Sequence, residues 1–72
     1  METRNFGRLA REHRERLGLT IAQTAERCDL SDRGYEEIEL GGSDPKLSNV
    51  VKIAAALQID MGELNVLVLR LV

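Results

Sequence analysis

Stop and start signals for helices recur along this chain at such short intervals that no helix can run much beyond about four turns. Gly18, the Gly41-Gly42 pair and Pro45 are stops or breaks, whereas Thr20, Ser31 and Asp60 carry side-chain oxygens that can cap a helix start. Between these signals the apolar residues recur with helical spacing, which predicts five helices. In the first, roughly Arg4 to Leu17, residues Phe6, Leu9, Ala10, His13 and Leu17 share one face, and arginines and glutamates fill the other. Thr20 caps a second, Ile21 to Arg27, with Ile21, Ala25 and the following Cys28 facing inward. Ser31 caps a third, Asp32 to Leu40, with Tyr35 and Ile38 inward and Leu30 plugging the corner before it. A fourth runs from about Leu47 to Leu57 on a stripe of Leu47, Val50, Ile53, Ala54 and Leu57. Asp60, followed three residues later by Glu63, has the form of a capping box and opens a fifth through about Leu69.

The expected architecture is therefore an all-α, five-helix bundle. Its 72 residues suffice for one modest core and one domain spanning 1–72. With 43% hydrophobic, 31% charged and only 3% aromatic residues, the composition suits a compact helical domain and not a disordered tail. The single cysteine, Cys28, permits no disulfide within the chain, and no leader with a charged start and apolar middle is read at its beginning. A reducing cytoplasm is expected. The apolar run Leu64 to Val72 contains Asn65 and Arg70 and falls far short of the roughly 20 residues that cross a bilayer. No membrane association follows from it.

Catalysis finds little support. Cys28 has no positioned Cys or His-Asn partner and reads as a small buried hydrophobe, not as a redox sensor, nucleophile or metal ligand. His13, the only histidine, lies on an apolar stripe and reads as a core or boundary residue. The carboxylates sit on short exposed helices and not around a pocket, and Gly41-Gly42 has neither the Walker spacing nor the dinucleotide fingerprint. No enzyme, metal, cofactor or small-molecule substrate is expected.

Charge is distributed unevenly beneath a formal net of −2. From Met1 to Thr20, Arg4, Arg8, Arg11, Arg14 and Arg16 face Glu2, Glu12 and Glu15. From Cys28 to Asp44, Asp29, Asp32, Glu36, Glu37, Glu39 and Asp44 are offset only by Arg33. The third helix thus looks acidic, which opposes its approach to a polyanion.

Two short hydroxyl-capped helices, Thr20 to Cys28 and Ser31 to Leu40, joined by a tight corner, have the form of a helix-turn-helix. The pieces Phe6-Gly7, Arg14 four residues before Gly18-Leu19-Thr20, Ala25, Ser31, Ile38-Glu39-Leu40-Gly41, Pro45, and Ile53-Ala54 with Leu57 before Ile59 follow in order. From Phe6 to Leu64 the chain resembles the phage repressor and Cro family, also called the xenobiotic response element family, with its lambda-repressor-like fold. The resemblance implies that the third helix is the recognition helix. It places Asp32, Arg33 and Glu37 toward base edges, and it makes Arg14 and Glu39 a structural salt bridge. Arg33 can bond guanine O6 and N7, and Asp32 or Glu37 could accept from cytosine N4. Gly34 leaves room beside the duplex. Phosphates would be met by Thr20, Ser31, Lys46 and an arginine of the first helix. Four positions depart from the family pattern: Ile21 stands where a phosphate-contacting Gln is usual, Thr24 where Leu packs, Asp29 where Gly makes the turn, and His13 where an apolar residue is common.

The resemblance further implies a prokaryotic or phage-encoded transcriptional regulator that binds double-stranded DNA. The tail 64–72 carries more apolar surface than one bundle needs to bury, so a homodimer seam through Val66, Val68, Leu69, Leu71 and Val72 is expected, as helix or as paired strands. Such a dimer would repress from a pseudo-palindromic operator with half-sites about 34 Å apart. The alternative is a protein-interaction module on the same fold, antitoxin-like or accessory, in which the acidic third helix or the tail holds a protein partner and DNA binding is weak or lost. A third reading is an orphan fragment of a larger regulator.

Overall fold

A computed structural model of the chain describes residues 3–42 and 45–60, with side chains from Phe6 onward. These residues form four helices and no strand: α1 (Thr3–Arg16), α2 (Ile21–Arg27), α3 (Asp32–Leu40) and α4 (Leu47–Leu57). Every boundary lies within a residue of the one read from punctuation. Beyond its expected cap Asp60, the expected fifth helix through Leu69, and with it the seam residues Val66, Val68, Leu69, Leu71 and Val72, lies outside the described residues. Among the described residues the count is four helices, and the five-helix count is not supported.

The helices meet because each carries one apolar stripe. Phe6 and Ala10 of α1, Ala25 of α2 with Cys28 after it, Tyr35 and Ile38 of α3, and Val50, Ile53, Ala54 and Leu57 of α4 close on one another, and Ile59 seals the end. Leu9, Leu19, Ile21, Leu30 and Ala56 pack around this core without being fully enclosed. α1 packs most extensively on α3, and α2 and α4 complete the bundle.

The close α1–α3 approach depends on Gly7. A Cβ there would overlap the carbonyl oxygens of Ile38 and Glu39, the second at 2.6 Å, so no other residue fits without moving backbone. Two side chains expected inside are outside. Leu17 is 40% exposed because α1 ends at Arg16 and the chain turns away at Gly18. Leu47 is 66% exposed because it is the first residue of α4, where side chains lean toward the helix start and past the neighbouring helices. Thr24, by contrast, is fully buried where a larger apolar residue would suffice. Its hydroxyl donates to the Thr20 carbonyl oxygen at 2.9 Å, so the polar atom costs little inside.

All four helices stop in one way. Gly18, Asp29, Gly41 and Gln58 take φ of 70°, 59°, 76° and 56°, and the residue after each donates its N–H back five residues, as Leu19 does to Arg14 and Leu30 to Ala25. This Schellman closure satisfies carbonyls that a helix end leaves open. At the corner it also turns Leu30 inward, which sets the angle between α2 and α3.

Candidate nucleic-acid interface

The corner between α2 and α3 is fixed at both helix starts. Thr20 is extended (φ −80°, ψ 165°); its hydroxyl oxygen accepts the Gln23 N–H at 3.0 Å, and its own N–H donates to Gln23 Oε1 at 2.9 Å. Ser31, equally extended, accepts the Gly34 N–H at 3.0 Å. Each hydroxyl accepts through oxygen and keeps its own proton to donate outward, and both residues are exposed. Gln23 was not among the site residues read from sequence, although Thr20-Ile-Ala-Gln23 has the form of a capping box and could have been read as one. Lys46 begins α4 without a side-chain cap and is exposed, in a different loop from the two hydroxyls.

The corner turns α3 so that Asp32, Arg33, Glu36, Glu37 and Leu40 are exposed while Tyr35 and Ile38 are buried. Asp32, Arg33 and Glu37 therefore share the outward side of one helix. Arg33 Nε donates to Glu37 Oε1 at 3.3 Å, with the two side chains 89% and 47% exposed. Gly34 has a local role as well: a Cβ there would stand 2.9 Å from the Ser31 cap oxygen.

Arg14 and Glu39 meet inside the bundle. Arg14 Nε donates to Glu39 Oε2 at 2.7 Å and Nη2 to Oε1 at 3.1 Å, while Nη1 donates to the Leu19 carbonyl oxygen at 3.0 Å. Only 13% of the arginine side chain and 4% of the glutamate side chain are exposed. The bond to Glu39 raises the already high pKa of Arg14 against the opposing effect of burial.

This geometry changes the electrostatic reading of α3. Of its four carboxylates, Glu39 is withdrawn from the surface and compensated by Arg14, and Glu37 is paired with Arg33. Asp32 lies in the first turn, where the helix dipole favours a negative charge. Glu36 adds an exposed carboxylate to the same side. The rod is thus less repulsive to phosphates than its composition implies.

Among the described residues no group of His, Cys, Asp and Glu could hold a metal ion, and no helix is long and apolar enough to cross a membrane. A family model described as helix-turn-helix matches residues 11–64. No curated protein and no solved structure matches the chain.

Proposed function

The chain belongs to the Cro/C1-type helix-turn-helix family of DNA-binding regulatory domains, and on that premise we propose that it is a sequence-specific transcriptional regulator reading duplex DNA with α3. The observation that carries this reading is the outward side of α3, where Arg33 stands exposed two residues after the Ser31 cap, on a helix-turn-helix whose two helix starts are both hydroxyl-capped. In the major groove Arg33 donates to guanine, and Asp32 and Glu37 face the adjoining base edges. Thr20 and Ser31 donate to phosphates beside the helix N-termini, and Lys46 adds a cation. The protein acts as a homodimer through Val66, Val68, Leu69, Leu71 and Val72 on a pseudo-palindromic operator, and represses by occluding a promoter.

A second reading, a protein-binding module, is favoured by the exposed carboxylate of Glu36 one turn before Leu40, itself 70% exposed. One experiment separates the two. Selection from a randomised duplex pool, followed by fluorescence anisotropy across a salt series, is expected to yield an enriched sequence bound with a steep inverse salt dependence. Arg33→Ala should lower discrimination at one base pair by on the order of tenfold. Absence of any enriched sequence at low salt would leave the protein-binding reading standing.

A further inference from the structure

Arg33 is the only cation between Asp32 and Leu40, and it does not face outward alone. Its Nε is joined to Glu37 one turn further along α3, at 3.3 Å. We propose that Glu37 is a positioning residue for base reading: it aims the Arg33 guanidinium at a guanine and does not itself read a base. The inference rests on the DNA-reading function proposed above and assigns a different task to one of its base-facing residues.

The chemistry follows from which donor is occupied. A guanidinium carries five N–H groups in one plane, one on Nε and two on each terminal nitrogen. With Nε directed at Glu37, the two terminal nitrogens keep coplanar hydrogens along the far edge, which matches the paired acceptors O6 and N7 of guanine. Without Glu37 a side chain 89% exposed would sample many rotamers and would have to be ordered on binding. A direct role of Glu37 on cytosine would require its Oε1 to leave Arg33, freeing the cation and presenting a bare carboxylate to the phosphates. Of the other α3 carboxylates, Glu39 is bound by Arg14 inside the bundle, Asp32 is the immediate chain neighbour of Arg33 and does not face it, and Glu36, although exposed and within one turn, is not the carboxylate that Arg33 Nε engages.

The arrangement has a distinctive consequence. Glu37 lowers attraction to DNA in general while sharpening the choice among sequences. Its removal should therefore raise affinity for arbitrary DNA and lower selectivity together, a combination that loss of a structural or phosphate-contacting residue does not produce.

The test uses the full chain and the duplex enriched from the randomised pool, with every single base-pair substitution of that site measured by anisotropy for wild type, Arg33→Ala, Glu37→Ala, Glu37→Gln and the double alanine variant. Circular dichroism controls for folding, which these exposed side chains should leave intact. The expected result is that Glu37→Ala and Arg33→Ala relax the same base pair, and that the double variant relaxes it no further than Arg33→Ala does. Glu37→Ala should also bind unselected DNA several-fold more tightly, and Glu37→Gln, which keeps an acceptor for Nε without the charge, should retain discrimination between those of wild type and Glu37→Ala. Relaxation at a different base pair would show that Glu37 reads a base itself and would overturn the proposal. So would unchanged selectivity, which would make Glu37 a solvated charge. A wild-type chain that enriches no sequence removes the DNA-reading function along with this inference, and that outcome appears before any variant is measured.

Discussion

Arg14 directs three donors at two partners: both Glu39 oxygens on α3 and the Leu19 carbonyl in the turn before α2. One side chain therefore ties the end of α1 to the helix-turn-helix, and the cost of removing it depends on what is left behind. A buried carboxylate deprived of its cation is costly, whereas replacing both charges with apolar groups is far less so. Arg14→Met is accordingly expected to lower the unfolding free energy by about 3 kcal/mol, whereas Arg14→Met combined with Glu39→Met should recover much of that loss. Urea denaturation of the two single variants and the double variant measures this cycle; strictly additive losses would show that the two charges act independently. At this scale the pairing of Arg14 with Glu39 came from family resemblance, because residues far apart in the chain leave no local signal. The packed position of Thr24, where Leu is usual, likewise came only from the resemblance. Its residue type reads as surface, and only the i−4 carbonyl that receives its hydroxyl makes the buried position tolerable.

The helix boundaries were legible because they are local events. Gly18 and Gly41 announce left-handed stops, and Asp29, which tolerates that conformation better than most side chains, takes it at the corner. Gln58 gives no such signal. It adopts φ 56° because the burial of Ile59 requires the chain to turn there, so tertiary packing overrides local preference. The same override explains Leu17 and Leu47, whose periodicity is right but which lie at helix ends beyond the reach of the core. The electrostatics of α3 was legible only in part: the resemblance paired Glu39 with Arg14, but counting carboxylates could not reveal that Glu37 is paired with Arg33. A direct test of the helix stops follows from their conformations. A Cβ at Gly18 would meet nothing within 4 Å, so Gly18→Ala isolates the cost of the left-handed backbone and should lower stability by about 1 kcal/mol. Gln58→Gly should act in the opposite sense by about 0.5–1 kcal/mol, less the extra freedom glycine gives the unfolded chain. Thermal melts of the two variants should shift in opposite directions; a downward shift for Gln58→Gly would mean that the glutamine side chain contributes contacts of its own.

Across the whole molecule, the core encloses two groups that are neutral at ordinary pH and would be anions in alkali. The Cys28 thiol, whose ordinary value is 9.0, is pushed up by burial, with Lys52 acting weakly in the other direction. The Tyr35 phenol, ordinarily at 10.0, is pushed well above that first by burial and then by the adjacent Glu39 carboxylate, against the favourable charge of Arg14. Its hydroxyl finds no partner of hydrogen-bond geometry among the described residues, so nothing there would solvate a phenolate. Both folded values lie above the unfolded ones. The folded state therefore holds protons that the unfolded state releases, and stability must fall as pH rises through that interval. The contribution of each group is complete below its unfolded value, so no loss from either is expected between pH 7 and about 9. Above about pH 9 the thiol begins to erode stability, and above about 10 the phenol adds to it, with the decline continuing toward the raised folded values. Melting temperatures of wild type, Cys28→Ala and Tyr35→Phe from pH 7 to 11 resolve the two contributions. Tyr35→Phe should flatten the curve above pH 10 and leave the interval from 9 to 10 as steep as in wild type, whereas Cys28→Ala should flatten that lower interval. A wild-type melting temperature that stays level to pH 11 would mean that water reaches both groups. In that case the packing of α3 on α1 and α2, which holds the outward side of α3 in place, would be looser than their burial requires.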